Sequence, residues 1–389
     1  MLAWKRHAAI TGIGETEYSK ASGMTQKALN MQAATRAIED AGLRPRDVDG
    51  VIASTSEGGL AAEEFIVNLG IPVLRFSVGL HMGGASGVAG IECAAMAVAL
   101  GVAKHVLVVS GRNGYSGARI SQAKTVRGDQ AASPTQLTWL QFEAPFGVIV
   151  PMHWYGLVAR RHMHLYGTTS RQLGAVAVTM RQHAALNPKA IMKAPITIED
   201  HQQSRMVSDP FHLFDCCIET DGATAILVSS AERAADLKQQ PAFILGVAAA
   251  YPDAPIGTRP DLTHTGVDKA APRAFEMADL SPKDIRLAEL YDPFTIMPIL
   301  HLESLGICEP GEGGPFVESG GIGLGGRVPV NTHGGLHSQA HSMSGLNHVA
   351  EAVKQLRGVA GPAQVREPDP CVVTGFGGFG AGSVAILGS

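Results

Sequence analysis

Chemistry in this chain has to come from its sulfurs, its histidines or its glycine-rich turns, and spacing narrows what each can do. The five cysteines, Cys93, Cys216, Cys217, Cys308 and Cys371, are odd in number and contain no C-x-x-C pair. They read as free thiols rather than as a disulfide framework or a zinc site. His162 and His164 form H-x-H, which binds metal when both rings share one face of a strand. Their flanks look helical, which splays the rings apart, and no metal is expected. Gly321 to Gly326 matches G-x-G-x-x-G, but Arg327-Val328-Pro329-Val330 follows it instead of the helix that dinucleotide binding requires. His333, His337 and His348 flank His341 without a carboxylate spaced to complete a ligand set, and read as pocket or surface residues. Arg160, Arg161, Lys189 and Lys193 could meet phosphates or form a solvated basic face; their spacing leaves both readings open.

The 46 glycines exceed the needs of ordinary turns and concentrate at 83–90, 311–326 and 375–382, where backbone must pass close to something. Those segments are where a site is expected. With 45% hydrophobic and 17% charged residues the chain should pack a large core. A net charge of −4 with no basic run argues against a nucleic-acid partner. The longest uncharged apolar run, Cys93 to Ala103, falls short of a membrane span, and Met1 to Arg6 lacks the apolar centre of a signal peptide. A cytoplasmic protein is expected.

The elements that must hold such a site alternate between apolar strands and amphipathic helices. Strands are predicted at Ala8–Thr11, Val51–Ser54, His105–Ser110, Phe243–Ala249, Leu287–Tyr291, Cys371–Thr374 and Val384–Leu387, with helices at Thr25–Ala41, Ser86–Leu100 and Ser344–Leu356. Residues 36–48 and 273–285 repeat Arg, Ala, Glu, Ala, Leu, Pro and Asp at one constant offset, each passing from a helix through a Pro-Arg/Lys-Asp turn into a strand. A duplicated α/β unit follows. An N-terminal half is expected over 1–240 and a C-terminal half over 241–389. A proline-rich insertion at about 113–235 forms a lid or substrate surface and ends where Asp221 to Val228 returns to a strand.

Several phrases together resemble the thiolase superfamily, particularly its sterol-carrier-protein-like branch. They are Arg161 to Thr169, Ser204-Arg205-Met206-Val207, Asp221-Gly222-Ala223, Leu290 to Phe294, and Pro329 to Gly335 followed by His341. The resemblance runs over nearly the whole chain in the family's order. It implies an α-β-α-β-α layered fold of two duplicated halves. Thiolases use two cysteines, and neither is present. Gly84 stands where the nucleophile would begin its C-x-S-G turn, and the segment Thr374 to Gly378 lacks the second sulfur. Without a nucleophile, ordinary thiolysis through an acyl-enzyme is disfavoured.

His341 takes the place of the histidine in the family's G-H-P segment, and Tyr291 that of the Asn or His opening its N-E-A-F or H-D-C-F loop. Tyrosine there, with the thiol gone, resembles the thiolase-like aldolases of bacterial steroid side-chain degradation. Those enzymes cleave a 3-hydroxyacyl-CoA into a ketone and a shorter acyl-CoA, and work with a small OB-fold, zinc-ribbon partner. That subgroup has tyrosine at both positions, whereas this chain keeps histidine at 341. Retro-aldol cleavage needs a base, an acid and donors for the enolate, but no covalent intermediate. A histidine near ~6.5 can accept the hydroxyl proton, and a tyrosine near ~10 is suited to donating one.

The resemblance therefore makes Tyr291 and His341 the catalytic pair. Backbone N–H groups around Gly84, Gly377 and Gly378 would form the oxyanion loop, and Asp292, Asn331 and His333 would bind substrate. Coenzyme A enters as part of the substrate, with no covalently bound cofactor. A homodimer is expected through the edge of the first-half sheet, with the uncharged run His105 to Ser110 buried between subunits. Two other readings stay open: an acyltransferase or thiolase whose nucleophile has moved, to Cys93 or Cys371, and a non-catalytic acyl-CoA-binding scaffold.

Overall fold

The repeated helix, turn and strand of the sequence recur in space. A computed structural model describes residues 6–54, 60–117, 119, 141–251, 256–341, 344–377 and 380–389. Eleven strands are found among them: β1 Ala8–Glu15, β2 Gly50–Ser54, β3 Phe76–Leu80, β4 His105–Asn113, β5 Met206–Ser208, β6 Phe211–His212, β7 Asp221–Ser230, β8 Ala242–Ala250, β9 Leu287–Glu289, β10 Cys371–Phe376 and β11 Gly382–Gly388. Nine of them form one mixed sheet in the order β3-β2-β4-β7-β1-β8-β11-β10-β9, and β5 and β6 form a small hairpin.

Read outward from the β1/β8 junction, the sheet runs β1-β7-β4-β2 on one side and β8-β11-β10-β9 on the other. The pairing signs match on both sides. β1 and β7 are antiparallel like β8 and β11, β4 and β7 like β10 and β11, and β2 and β4 are parallel like β9 and β10. The duplicated α/β unit is therefore visible as internal symmetry. The halves share hydrogen bonds where Ala9 and Ile10 meet Phe243 and Ala242, so one sheet continues across both.

Local sequence explains the repeated helices. Thr25 caps the helix Gln26–Asp40 by accepting from Ala28 N, and Thr265 caps the helix Gly266–Ala278 by accepting from Val267 N. Each is followed by a short turn, Pro45–Asp47 or Pro282–Asp284, whose aspartate accepts a backbone N–H three residues back. The helices Ser86–Ala99 and Leu346–Leu356 are buried along most of their length. They pack together with residues of both sheet halves, Val108 and Val228 on one side and Val373 and Leu387 on the other, in one apolar core. Helices on both faces of a buried sheet require strands apolar on both sides, as β4 and β7 are.

Two expectations change here. The run His105 to Ser110 lies inside the sheet, hydrogen-bonded to β2 and β7, so its burial comes from neighbouring strands of the same chain. The sheet edge on that side is β3, beyond β2; its Phe76-Ser77-Val78-Gly79-Leu80 alternates as a half-buried strand does but is only five residues long, and the sequence reading passed over it. The insertion folds as helices Pro151–Tyr166 and Ser170–Leu186 before the chain returns in β7. His162 and His164 lie on the first of these. His162 is buried against Thr168 and Glu303 while His164 points outward, so the two rings share no ligand position.

Candidate active site

Gly84 lies in the short turn Gly83–Ala85 that opens the helix Ser86–Ala99, and Ser86 Oγ accepts from Met82 N to close that turn. A Cβ on Gly84 would lie 2.1 Å from Tyr291 Cζ and 2.4 Å from its Oη. The phenol ring thus fills the space that any side chain at 84 would need. Glycine here answers to a close approach, and the residue approaching is Tyr291.

Several bonds hold that tyrosine in place. Asn331 accepts from Leu290 N through Oδ1 at 2.6 Å and donates to Leu290 O through Nδ2 at 2.8 Å, pinning the residue before Tyr291. The backbone N–H of Tyr291 donates to Thr374 Oγ1 at 3.1 Å. On the other side Asp292 is fully buried; its Oδ1 accepts from Leu336 N at 2.9 Å and from His348 Nε2 at 3.0 Å. Burial raises the Asp292 carboxyl, but the His348 bond and the nearby imidazoles outweigh it and hold the group below its ordinary range. A Cβ on Gly335 would come within 2.0 Å of Asp292 Oδ2, so this turn admits only glycine beneath the carboxylate.

His341 is brought to the tyrosine by Thr220. Its backbone N–H donates to Thr220 Oγ1 at 3.1 Å, and Thr220 Oγ1 lies 3.4 Å from His341 O. Nε2 of His341 lies 3.3 Å from Tyr291 Oη, and Nδ1 lies 3.3 Å from Cys217 Sγ. Cys217 is itself anchored by a bond from its N–H to Pro293 O at 3.0 Å. Burial pushes His341 down to about 3, with Arg112 acting in the same direction, so the ring is neutral at pH 7. The same burial pushes the Cys217 thiol well up, which keeps it protonated.

A cavity of about 670 Å³ opens over this site, with His341, Cys217 and His337 among its lining residues. Apolar side chains such as Met152, Ile196 and Phe294 form much of the wall, and five cations, Lys20, Arg112, Arg119, Arg181 and Arg205, also line it. Arg160, Arg161, Lys189 and Lys193 are exposed and do not line it, and Arg160 is paired with Asp209. The cations that could meet an anionic ligand are scattered in sequence, so no local run marks them.

The remaining expected site residues fall into three groups. Gly377 abuts the Gly84 loop, with Met82 O only 2.4 Å from where its Cβ would be, but its N–H donates to Ala381 O at 2.8 Å. That donor is committed within its own turn, which removes it from an oxyanion site. Gly378 lies outside the described residues. Asp292, Asn331 and His333 are buried and bonded to protein groups, and like Tyr291 they are not among the residues that line the cavity. His333 Nδ1 lies 2.9 Å from Glu289 Oε2. Burial pushes Glu289 up to about 8 and His333 down, so this pair is held neutral behind the site.

Sequence reasoning left His337 as a pocket or surface residue, and the structure places it in the lining; it missed Cys217 as a site residue and the cationic lining. Cys217 sits four residues before the Asp221-Gly222-Ala223 phrase, and that proximity was the available signal. Cys93 and Cys371, the two thiols considered as relocated nucleophiles, do not line the cavity, and burial pushes both up.

Residues 7–232 match the family described as thiolase, N-terminal domain, and residues 248–389 match thiolase C-terminal domain-like. A steroid side-chain-cleaving aldolase of Thermomonospora curvata is 42% identical over 361 residues, covering 91% of each chain. A 17-hydroxy-3-oxo-4-pregnene-20-carboxyl-CoA lyase of Mycobacterium tuberculosis is 43% identical over 368 residues, covering 91% of this chain and 92% of that one. Among solved structures, the Ltp2-ChsH2(DUF35) aldolase superposes with a TM-score of 0.91 at 38% identity, covering 100% of this chain and 99% of that chain. With both halves matched in order, the chain belongs to the thiolase superfamily.

Proposed function

We propose that this protein is an acyl-CoA carbon–carbon lyase that cleaves a bulky 3-hydroxyacyl-CoA by retro-aldol chemistry into a ketone and a shorter acyl-CoA. The observation that carries the reading is the seat of Tyr291 in the space a nucleophilic cysteine at 84 would occupy. A covalent acyl-enzyme is replaced there by a group that can only donate or accept a proton. Two relatives and a solved neighbour named as aldolase or CoA lyase support the same reading.

The chemistry balances across the pair. His341, neutral at pH 7, accepts the 3-hydroxyl proton as the C2–C3 bond breaks and its electrons pass into the thioester enolate. Tyr291 donates a proton to the enolate carbon. The 3.3 Å contact between Oη and Nε2 then returns the proton from imidazolium to phenolate, which resets both groups. Cys217, a protonated thiol beside Nδ1, biases the tautomer of the ring. The cationic side chains of the lining suit the phosphates of coenzyme A, and the apolar wall suits a steroid-like acyl group.

The edge strand β3 pairs two copies in a homodimer, and a small OB-fold, zinc-ribbon protein completes the working assembly. No described helix is long and apolar enough to cross a membrane, which fits a cytoplasmic enzyme. Incubation with 3-hydroxyacyl-CoA thioesters, with and without the OB-fold protein, tests the activity. A ketone and a shorter acyl-CoA in equal amounts support it; acetyl transfer to free CoA in their place overturns it.

A further inference from the structure

His337 is 4% exposed, lines the cavity, and finds no hydrogen-bond partner among the described residues for either ring nitrogen. It stands one turn before His341, yet takes no part in the bonded set of Cys217, His341 and Tyr291. Buried polar atoms without partners are rare in folded proteins because each forfeits hydration without replacement. Four residues on, His341 has a group against each of its nitrogens. The adjacent Ser338 hydroxyl is also satisfied, accepting from Arg181 Nε at 3.0 Å. Both nitrogens of His337 are therefore uncharged polar atoms open to the cavity, on a wall whose other polar groups include five cations.

We infer that His337 is a specificity-determining residue that takes an uncharged oxygen, hydroxyl or keto, carried on the apolar body of the acyl group. The inference rests on the acyl-CoA reading and names a feature of the substrate that the reading leaves open. Burial pushes His337 below its ordinary value, and the nearby Arg181 and His201 add to this while Asp292 and Asp215 oppose it. A neutral imidazole offers one N–H and one bare nitrogen, which matches a hydroxyl through either atom and a keto oxygen through the N–H. Anionic groups have better partners in the cations of the same cavity. The 3-hydroxyl is served by His341 and the enolate carbon by Tyr291, and the inference places His337 on an oxygen away from both.

A panel of 3-hydroxyacyl-CoA thioesters on one polycyclic skeleton tests this, with the ring body bare or bearing a hydroxyl or keto group at successive positions. The wild-type protein should favour at least one oxygenated thioester over the bare one by about ten-fold or more in kcat/KM, because a site built for an oxygen rejects the analogue lacking it. His337→Leu should remove that preference by lowering kcat/KM for the oxygenated thioester alone, and His337→Gln, which keeps a donor and an acceptor, should retain part of it. Equal activity of the wild type on all thioesters overturns the inference. So does a His337→Leu variant that loses activity on all of them alike or keeps the wild-type ratio. If the wild type binds the panel and cleaves none of it, the lyase reading fails, and the preference is still read from the dissociation constants of the same thioesters.

Discussion

Tyr291 and Asp292 are neighbours in the chain, and each meets a histidine of the segment that follows Gly334. Tyr291 Oη meets His341 Nε2 at 3.3 Å; Asp292 Oδ1 meets His348 Nε2 at 3.0 Å. The first pair reaches the cavity wall through His341, with Cys217 on the far side of its ring. The second is sealed in protein, and its carboxylate also fixes Leu336 N. One pair is a neutral proton donor and acceptor; the other joins a carboxylate to an imidazole in a charge-assisted bond. On the proposed reading, chemistry and positioning are divided between adjacent residues, so changes on either side should fail in different ways.

The largest effect is expected in the neutral pair. Tyr291→Phe and His341→Ala should each lower kcat by about 10²–10⁴-fold with the fold intact, and the double variant should lose far less than the product of the two. Steady-state kinetics with a matched circular-dichroism spectrum checks this. Gly84→Cys comes next. A side chain 2.1 Å from Tyr291 Cζ must displace the ring, so cleavage should collapse and stability should fall by about 1–3 kcal/mol. Adding Tyr291→Ala to Gly84→Cys should restore stability without restoring cleavage. Purely additive losses in denaturant titrations would show that the two sites are not in contact.

Asp292→Asn should invert that pattern, costing roughly 3 kcal/mol of stability with a smaller loss in kcat, since it removes one partner of a buried pair outside the cavity. Acid should act on stability before it acts on catalysis. Burial holds His341 and His301 down to about 3 and His183 down to about 4, against an ordinary value of 6.5. Their folded values lie below the unfolded one, so the stability they contribute is complete above pH 6.5 and drains away as pH falls through that window. A melting-temperature series should therefore drop below pH 6.5, while kcat/KM shows no His341 limb near 6.5. Such a limb would mean that the ring is solvated. Cys217→Ala should be the mildest change, within a few-fold of wild type, whereas alkylating Cys217 should block turnover by filling the cavity.

Much of the fold was legible because the duplicated turns Pro45–Asp47 and Pro282–Asp284 are local signals and the central strands are apolar on both faces. Strand β3 was not, since its five alternating residues give only a short period-2 signal beside the continuous apolar runs of the central strands. That position 84 carries no side chain could be read from the sequence; that Tyr291 occupies the space beside it could not, because the two meet only when the two halves of the chain pack together. Asn331 looked like a ligand contact and is a clamp on Leu290. Cys217 and the cationic lining are gathered from distant segments, and no motif announces them.

The central claim is that a tyrosine in the cysteine's place turns a covalent acyl-transfer site into a non-covalent lyase. Intact-protein mass spectrometry during turnover of a 3-hydroxyacyl-CoA, with the OB-fold protein present and no free CoA added, tests it most directly. The account predicts ketone and shorter acyl-CoA in equal amounts while the protein mass stays unmodified. An acyl adduct on a cysteine, together with a requirement for free CoA, would contradict it.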